Sequence, residues 1–338
     1  MRESFRHFHQ NKETDLIGLG NAIVDIIVNV DDKFLEKNQL EKGSMNLINS
    51  DESELLLEHC NIIKQISGGS SANTVVCLAE LGNNVEFIGR VKNDKFGNFF
   101  SSDIKKSNTI FKTSPINKGA STAHSIILIT PDAQRTMCTY LGASVEFEPE
   151  DINFSSINNS KYLYLEGYLW DSDLAKNAFL EASKIAKLAN TRIILSLSDS
   201  FCVDRHRESF LELIKNYVDI LFCNESELLS LLKKDNLESC KDYISLLSEL
   251  VIVTLGSKGS LIINKNKIES IKPNLQGHII DTTGAGDLYA GGFIHGLINN
   301  YSLKKCGEIG SLCAGNIITQ LGSRSNIDLK NLLIKNFH

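Results

Sequence analysis

The sequence predicts an α/β fold: a doubly wound, mostly parallel sheet covered by helices on both faces, with a small β lid. Three observations carry this. Short, nearly all-apolar runs alternate with segments of helical spacing along most of the chain. Those runs are apolar throughout, as strands buried on both faces are. Around 110–142 the alternation gives way to short β-type runs separated by turn residues.

From the N-terminus, residues 1–14 are polar and His-rich and read as a disordered tail. Residues 15–338 read as one domain. Leu16 to Val30 reads as a single apolar strand, interrupted by Asn21 and Asp25. Helical spacing runs from Ser70 to Leu81 and stops at Gly82, a C-cap residue. Val85 to Arg90 follows as a strand and Lys95 to Lys106 as a helix. Ser125 to Thr130 and Thr136 to Tyr140, separated by Pro131-Asp132, read as a hairpin. The lid is expected from about 31–50 and 110–142. Strands then recur at Tyr162–Leu165, Ile193–Leu197, Ile220–Cys223 and Val251–Leu255, with helices at 172–189, 204–216 and 225–233 between them. Helices at about 285–299, 302–320 and 328–336 close the chain.

Composition narrows the function classes. The chain has 338 residues, 42% hydrophobic and 22% charged, with net charge −6. Its lysines and arginines are scattered, which argues against nucleic acid as the partner. No apolar run approaches membrane-spanning length, and no signal-peptide stretch opens the chain. None of the eight cysteines is paired as C-x-x-C, and most lie in apolar runs, so buried free thiols are expected. Together these place the protein in a reducing compartment, the cytoplasm.

Three stretches carry chemistry. The first is Ile279-Ile280-Asp281-Thr282-Thr283-Gly284-Ala285-Gly286-Asp287, opening a helical run. Free N–H groups at a helix start attract anions, and glycines let a phosphate approach them closely. An anion hole is therefore expected at 284–287, with Asp287 on its rim. A carboxylate there suits a general base that accepts a proton from an attacking hydroxyl. The plainer alternative is a helix-start charge. The second is Ser67-Gly68-Gly69-Ser70-Ser71-Ala72-Asn73, joining a short strand to a helix. Its glycines permit close approach of a ligand hydroxyl, and Asn73 offers a donor and an acceptor. Ser70 or Ser71 as a plain N-cap is the alternative. The third, Gly18-Leu19-Gly20-Asn21-Ala22-Ile23-Val24-Asp25, lacks the third glycine of a dinucleotide fingerprint and continues as a strand. Asn21 and Asp25 suit hydrogen bonds to vicinal sugar hydroxyls.

On these residues the chain resembles the ribokinase-like (PfkB) family of carbohydrate and nucleoside kinases, over about 15–328. The resemblance implies an ATP- and Mg²⁺-dependent kinase of a small molecule. Asp287 would be the catalytic base, and Gly284, Ala285 and Gly286 the anion hole. Asp25, Gly68, Gly69 and Asn73 would hold a ribose. Asn224-Glu225-Ser226-Glu227 matches the family's Asn-x-x-Glu motif, so Asn224 and Glu227 would organise Mg²⁺ and the triphosphate through water. Thr254, Gly256 and Gly259 match its loop beside ATP, and Asn316 falls where the ATP base binds. Asp281, Thr283 and Gly322 lie where many relatives hold a monovalent cation such as K⁺.

Several stretches resemble adenosine kinases within that family. Leu195 to Phe201 is one, making Phe201, with Tyr168-Leu169-Trp170, a candidate to stack on a substrate base. Arg135 matches an arginine that neutralises the transferring phosphate. Glu166 departs: ribose kinases carry a glutamate there, adenosine kinases a small residue. The expected activity is phosphorylation of the adenosine 5′-hydroxyl. The alternatives are a kinase of free ribose or fructose, in which Glu166 touches the sugar, and a catalytically silent nucleotide-binding protein. Family members with this lid are monomers or homodimers.

Overall fold

The apolar run at the N-terminus is two strands, not one. In the computed structural model, which describes residues 12–132, 134–265 and 267–337, β1 (Thr14–Leu19) and β2 (Ile23–Asn29) belong to different sheets. The chain crosses over at Gly20, where a Cβ would collide with Ser71 and with Glu166 Oε2 at 2.5 Å. Apolar patterning continues through both strands, so it does not register the crossing. The expected tail at 1–11 lies outside the described residues. Residues 12–14 belong to the fold: Lys12 Nζ donates to the Ser160 carbonyl (2.8 Å) and Thr191 Oγ1 (2.6 Å).

The remaining strands are β3 (Met45–Leu47), β4 (Ile62–Gly68), β5 (Val85–Ile88), β6 (Ile110–Phe111), β7 (His124–Ile129), β8 (Arg135–Tyr140), β9 (Ser160–Glu166), β10 (Arg192–Ser196), β11 (Ile220–Asn224), β12 (Leu250–Thr254), β13 (Ser260–Asn264) and β14 (Lys267–Ile271). The large sheet has the order β14-β13-β12-β11-β10-β9-β1-β5-β6 and is parallel except for the antiparallel edge formed by β13 and β14. The second sheet has the order β3-β8-β7-β2-β4. It draws β2 and β4 from outside the ranges expected for a lid, while β6, inside them, pairs with β5 in the large sheet.

Alternate residues of each parallel strand enter different cores. Leu16, Tyr162, Tyr164, Ile194 and Ile252 face one way, packed with Phe222 and Phe293; Ile17, Leu163, Leu165, Leu195 and Val251 face the other, with Phe179 and Phe210. This is the period-2 geometry of a sheet covered on both sides. Helix Ala285–Ile298 packs closely between helices Ser70–Glu80 and Leu303–Ile317. Small residues make that possible: a Cβ on Gly291, Gly292 or Gly296 would meet the sulfur of Cys77, Cys313 or Cys306 at 2.7, 2.9 and 2.8 Å. All eight cysteines are free thiols, seven of them buried. The packing fixes where the helix N-terminus points. Among the described residues no helix is long and apolar enough to cross a membrane.

Candidate active site

The C-terminal ends of the parallel strands collect most of the residues singled out by sequence. β1 ends at Leu19 before Gly20 and Asn21, β9 at Glu166, β11 at Asn224 and β12 at Thr254, with Asn224 paired opposite Thr254. Open α/β sheets place ligands at this end.

Helix Ala285–Ile298 starts there, with Gly284 as its N-cap at φ +77°. Only glycine adopts that conformation freely, and a Cβ would also lie 2.8 Å from Ser323 Cβ. The Ala285 amide is taken by the Thr282 carbonyl (3.2 Å). The Gly286 and Asp287 amides have no partner among the described residues, and a Cβ on Gly286 would meet nothing within 4 Å. The available donors are therefore those two amides, with open space beside Gly286 and the helix dipole behind them.

Asp287 is half-buried and held from the neighbouring helix: Ser70 Oγ donates to Oδ1 (2.6 Å) and Asn73 Nδ2 to Oδ2 (2.8 Å). Burial raises its carboxyl above the ordinary range, while those two bonds and the Arg324 charge act in the opposite direction. Ser70 thus serves Asp287 rather than capping its own helix. The Ser71 amide donates to Glu166 Oε2 (2.7 Å). Neither serine is an N-cap; that position is Gly69, without a side-chain bond.

The paired glycines have an intramolecular reason. A Cβ on Gly69, at φ +99°, would strike the Asn21 carbonyl, and one on Gly68 would strike the Asp25 carboxylate, with Cγ at 2.6 Å. Asp25 is half-buried and its carboxylate has no hydrogen-bond partner among the described residues. Burial pushes it up to about 7, with Arg324 and Arg135 lowering it and Asp287 raising it. Glu166 is different. It is 1% exposed, and its oxygens accept from Asn21 Nδ2 (2.7 Å), the Asn21 amide (3.4 Å) and the Ser71 amide. Burial raises it to about 7. Asn21 and Glu166 face each other in the buried layer under the site, and Glu166 pairs with amides.

Arg135 reaches across from the second sheet. Its Nη1 sits 2.5 Å from Asp281 Oδ2 and 3.1 Å from Thr283 Oγ1, and its Nη2 is buried without a hydrogen-bond partner among the described residues. Asp281 also accepts from the Thr283 amide (3.0 Å), Thr283 Oγ1 (2.8 Å) and the Gly322 amide (2.8 Å). The residues expected at a cation site thus converge, and the cation they hold is a guanidinium.

Asn224 and Glu227 form a reciprocal capping box: Glu227 N–H donates to Asn224 Oδ1 (2.9 Å), and Asn224 N–H to Glu227 Oε2 (2.9 Å). Burial raises Glu227 to about 7, opposed by the Asn224 bond and reinforced by Asp199 and Asp287. Among the described residues no three His, Cys, Asp or Glu side chains converge as a metal-binding set. Gly256 (φ +58°) has open space around it, while Gly259 (φ +89°) turns tightly against the Ile271 carbonyl. Asn316 is buried in its helix, its Oδ1 3.3 Å from Ser325 Oγ. Phe201, expected in a base slot, is 71% exposed; Tyr168 is 41% exposed. Trp170 is a core residue, stacked on Phe210 and donating to Ser209 Oγ (2.8 Å).

Two residues escaped the sequence reading. Ser323 Oγ donates to Asn73 Oδ1 (3.1 Å). Arg324 donates to the Ala72 carbonyl (3.1 Å) and to the Ser67 carbonyl. A cation in a polar Gly-Ser-Arg-Ser turn was the available signal.

Residues 43–330 match the pfkB family carbohydrate kinase profile. A probable sugar kinase from Rhizobium etli CFN 42 is 39% identical, with TM-score 0.89 over 96% of this chain and 98% of that one. The adenosine kinase of Sinorhizobium meliloti is 40% identical, with TM-score 0.88 over 96% of this chain and 99% of that one. A 5-dehydro-2-deoxygluconokinase of Geobacillus kaustophilus is 24% identical over 94% of this chain and 91% of its own length. The chain belongs to the pfkB family of carbohydrate kinases, as an ATP-dependent sugar or nucleoside kinase that acts on an alcohol group.

Proposed function

We propose that the protein transfers the γ-phosphoryl group of ATP to the 5′-hydroxyl of adenosine. The observation that carries the acceptor half is Asp25: a half-buried carboxylate without a hydrogen-bond partner among the described residues, pressed against Gly68 and electrostatically linked to Asp287. Buried acceptors are rarely left unpaired. Vicinal ribose hydroxyls would complete this one, with the remaining hydrogen-bonding capacity of Asn73 beside it.

In the reaction, Asp287 takes the proton of the 5′-hydroxyl as its oxygen bonds to the γ-phosphorus. The bond from that phosphorus to the β–γ bridging oxygen breaks, and ADP leaves. The Gly286 and Asp287 amides and Arg135, through its unpaired Nη2, would receive the charge on the moving phosphoryl oxygens. Magnesium would arrive with the triphosphate and keep several waters, with Asn224 and Glu227 reaching it through water; among the described residues too few carboxylates converge for an all-protein cage. The second sheet, tied to the anion loop by Arg135, would act as a lid. Because the Asp281 carboxylate already faces Arg135, a K⁺ requirement is not part of this proposal.

Adenosine is preferred over a free sugar on one structural ground. Glu166, the residue that favoured a sugar, is turned under the site and engaged by Asn21 and Ser71. The 40% identity to an adenosine kinase is matched by 39% to a probable sugar kinase, so identity does not separate the two. Exposure of Phe201 favours the second reading, a free sugar with no base to stack. A coupled ADP-release assay over adenosine, inosine, ribose, fructose and 5-dehydro-2-deoxygluconate decides. The highest kcat/KM on adenosine supports the proposal; the highest on a free sugar overturns it.

A further inference from the structure

Three consecutive residues after helix Leu303–Ile317 each hold a different part of the site. The Gly322 amide donates to Asp281. Ser323 Oγ donates to Asn73 Oδ1, which leaves the Nδ2 group of that amide directed at Asp287 Oδ2. The Arg324 guanidinium lies beneath the acceptor loop. Its Nη1 donates to the Ala72 carbonyl (3.1 Å), and its Nη2 to the Ser67 carbonyl, with Ser67 Oγ at 3.5 Å. Those two carbonyls lie on either side of Gly68-Gly69, so one planar fork spans both arms of the turn that faces the substrate.

Arg324 is also the positive charge on this side of the site. It faces Asp25 from β2, Glu80 from helix Ser70–Glu80, Asp103 from helix Lys95–Lys106 and Asp287 from helix Ala285–Ile298. Asp287 in turn faces Asp25, Glu166 and Glu227, and the hydroxyls of Tyr164 and Tyr168. Six of these groups are carboxyl groups, and burial disfavours ionisation of each. A fixed guanidinium, which does not lose its proton, counters that.

We propose that Arg324 is a positioning residue for phosphoryl transfer: it clamps the acceptor loop between Ser67 and Ala72 and sets a permanent positive charge beneath Asp25 and Asp287. Ser323 completes the clamp by fixing the Asn73 amide. The proposal rests on the reading of Asp287 as the base, and the test separates the two.

The test is the pH profile of kcat and kcat/KM from pH 5 to 9 for wild type, R324Q, R324K, S323A and D287N, each first checked for folding by circular dichroism. Loss of the guanidinium leaves the Asp287 proton harder to remove. R324Q is expected to lower kcat about tenfold at neutral pH and to move the acid limb up by about one pH unit. R324K keeps the charge but not the fork, so its acid limb returns to the wild-type position while kcat recovers only in part. S323A is expected to lower kcat about fivefold, the worth of one neutral hydrogen bond, without moving the limb. An R324Q limb at the wild-type position overturns the proposal. If R324Q does not fold, an R324K limb displaced from wild type, or an S323A kcat equal to wild type, overturns it instead. Activity retained by D287N sinks the base assignment itself; an inactive D287N with an unmoved R324Q limb sinks only the role of Arg324.

Discussion

Replacing Glu166 separates a carboxylate that touches substrate from one that supports the site. Its two oxygens accept from Asn21 Nδ2, the Asn21 amide and the Ser71 amide, all in a buried setting. Glu166→Ala leaves these donors unpaired. At about 1–3 kcal/mol for each well-made bond, and less for the long one at 3.4 Å, the expected loss is about 3 kcal/mol once water enters the vacated space. For a chain of 338 residues, with an unfolding entropy of about 2 cal/mol/K per residue, that lowers Tm by about 4 °C. Glu166→Gln keeps one acceptor and sets an NH₂ group against the Ser71 N–H, for about half that loss. The pH dependence has a definite sign. Folding raises Glu166 to about 7 from an unfolded value near 4.5, so the native state holds a proton that the unfolded chain has released. The contribution of Glu166 to stability is therefore largest below about pH 5 and declines as pH rises toward 7. The Tm difference between wild type and E166Q should shrink over that window. Differential scanning fluorimetry at pH 5, 6, 7 and 8, paired with ADP release, reads both effects. Turnover of adenosine and of ribose should fall by the same factor. Ribose turnover lost selectively, with Tm unchanged, would mean that the carboxylate meets the sugar and that this reasoning is wrong.

Gly284→Ala and Gly286→Ala should behave oppositely. The first forces a left-handed φ and a 2.8 Å contact on Ser323, and is expected to cost stability and activity together. The second has open space and gains about 0.5–1 kcal/mol of helix propensity, so Tm should hold or rise while KM for ATP increases; equal loss of Tm in both would contradict the geometry. Phe201 is exposed, so Phe201→Ala raises KM for adenosine, by about tenfold, only if the bound base stacks on it, and leaves ribose turnover unchanged in either case. Excess EDTA should abolish ADP release, and full activity in its presence would remove Mg²⁺ from the mechanism.

What the sequence made legible follows from distance along the chain. The Asp281–Asp287 string spans one turn and one helix start, so its amides and carboxylate are read from local geometry alone. Asn224 and Glu227 are equally local, though what spacing of three residues builds first is a capping box. The clamp was not legible: Ser323 and Arg324 meet partners 250 and 257 positions earlier, and nothing in their own turn marks those partners. The crossing at Gly20 was hidden because two buried strands in different sheets share one apolar pattern. The β13–β14 edge was missed for the opposite reason. β14 is largely exposed and carries lysine and glutamate, so it lacks the apolar run by which the inner strands were found. The direction of Glu166 was not legible because a strand-end carboxylate at the ligand end of a sheet can turn outward to substrate or inward to free amides. Here the Asn21 and Ser71 donors are provided by loops the pattern does not position.

The central claim is that the Asp287 carboxylate, held by Ser70 and Asn73 beside two amides without a partner among the described residues, accepts the proton of the attacking hydroxyl. Asp287→Asn preserves size and can still take part in bonds to Ser70 and Asn73, but it cannot take that proton. The most direct measurement is single-turnover phosphoryl transfer by D287N with ATP, Mg²⁺ and the best acceptor of the substrate panel, alongside calorimetric binding of that acceptor. The account predicts a rate at least about 10²-fold below wild type with binding nearly unchanged. A rate above about a tenth of wild type would contradict it.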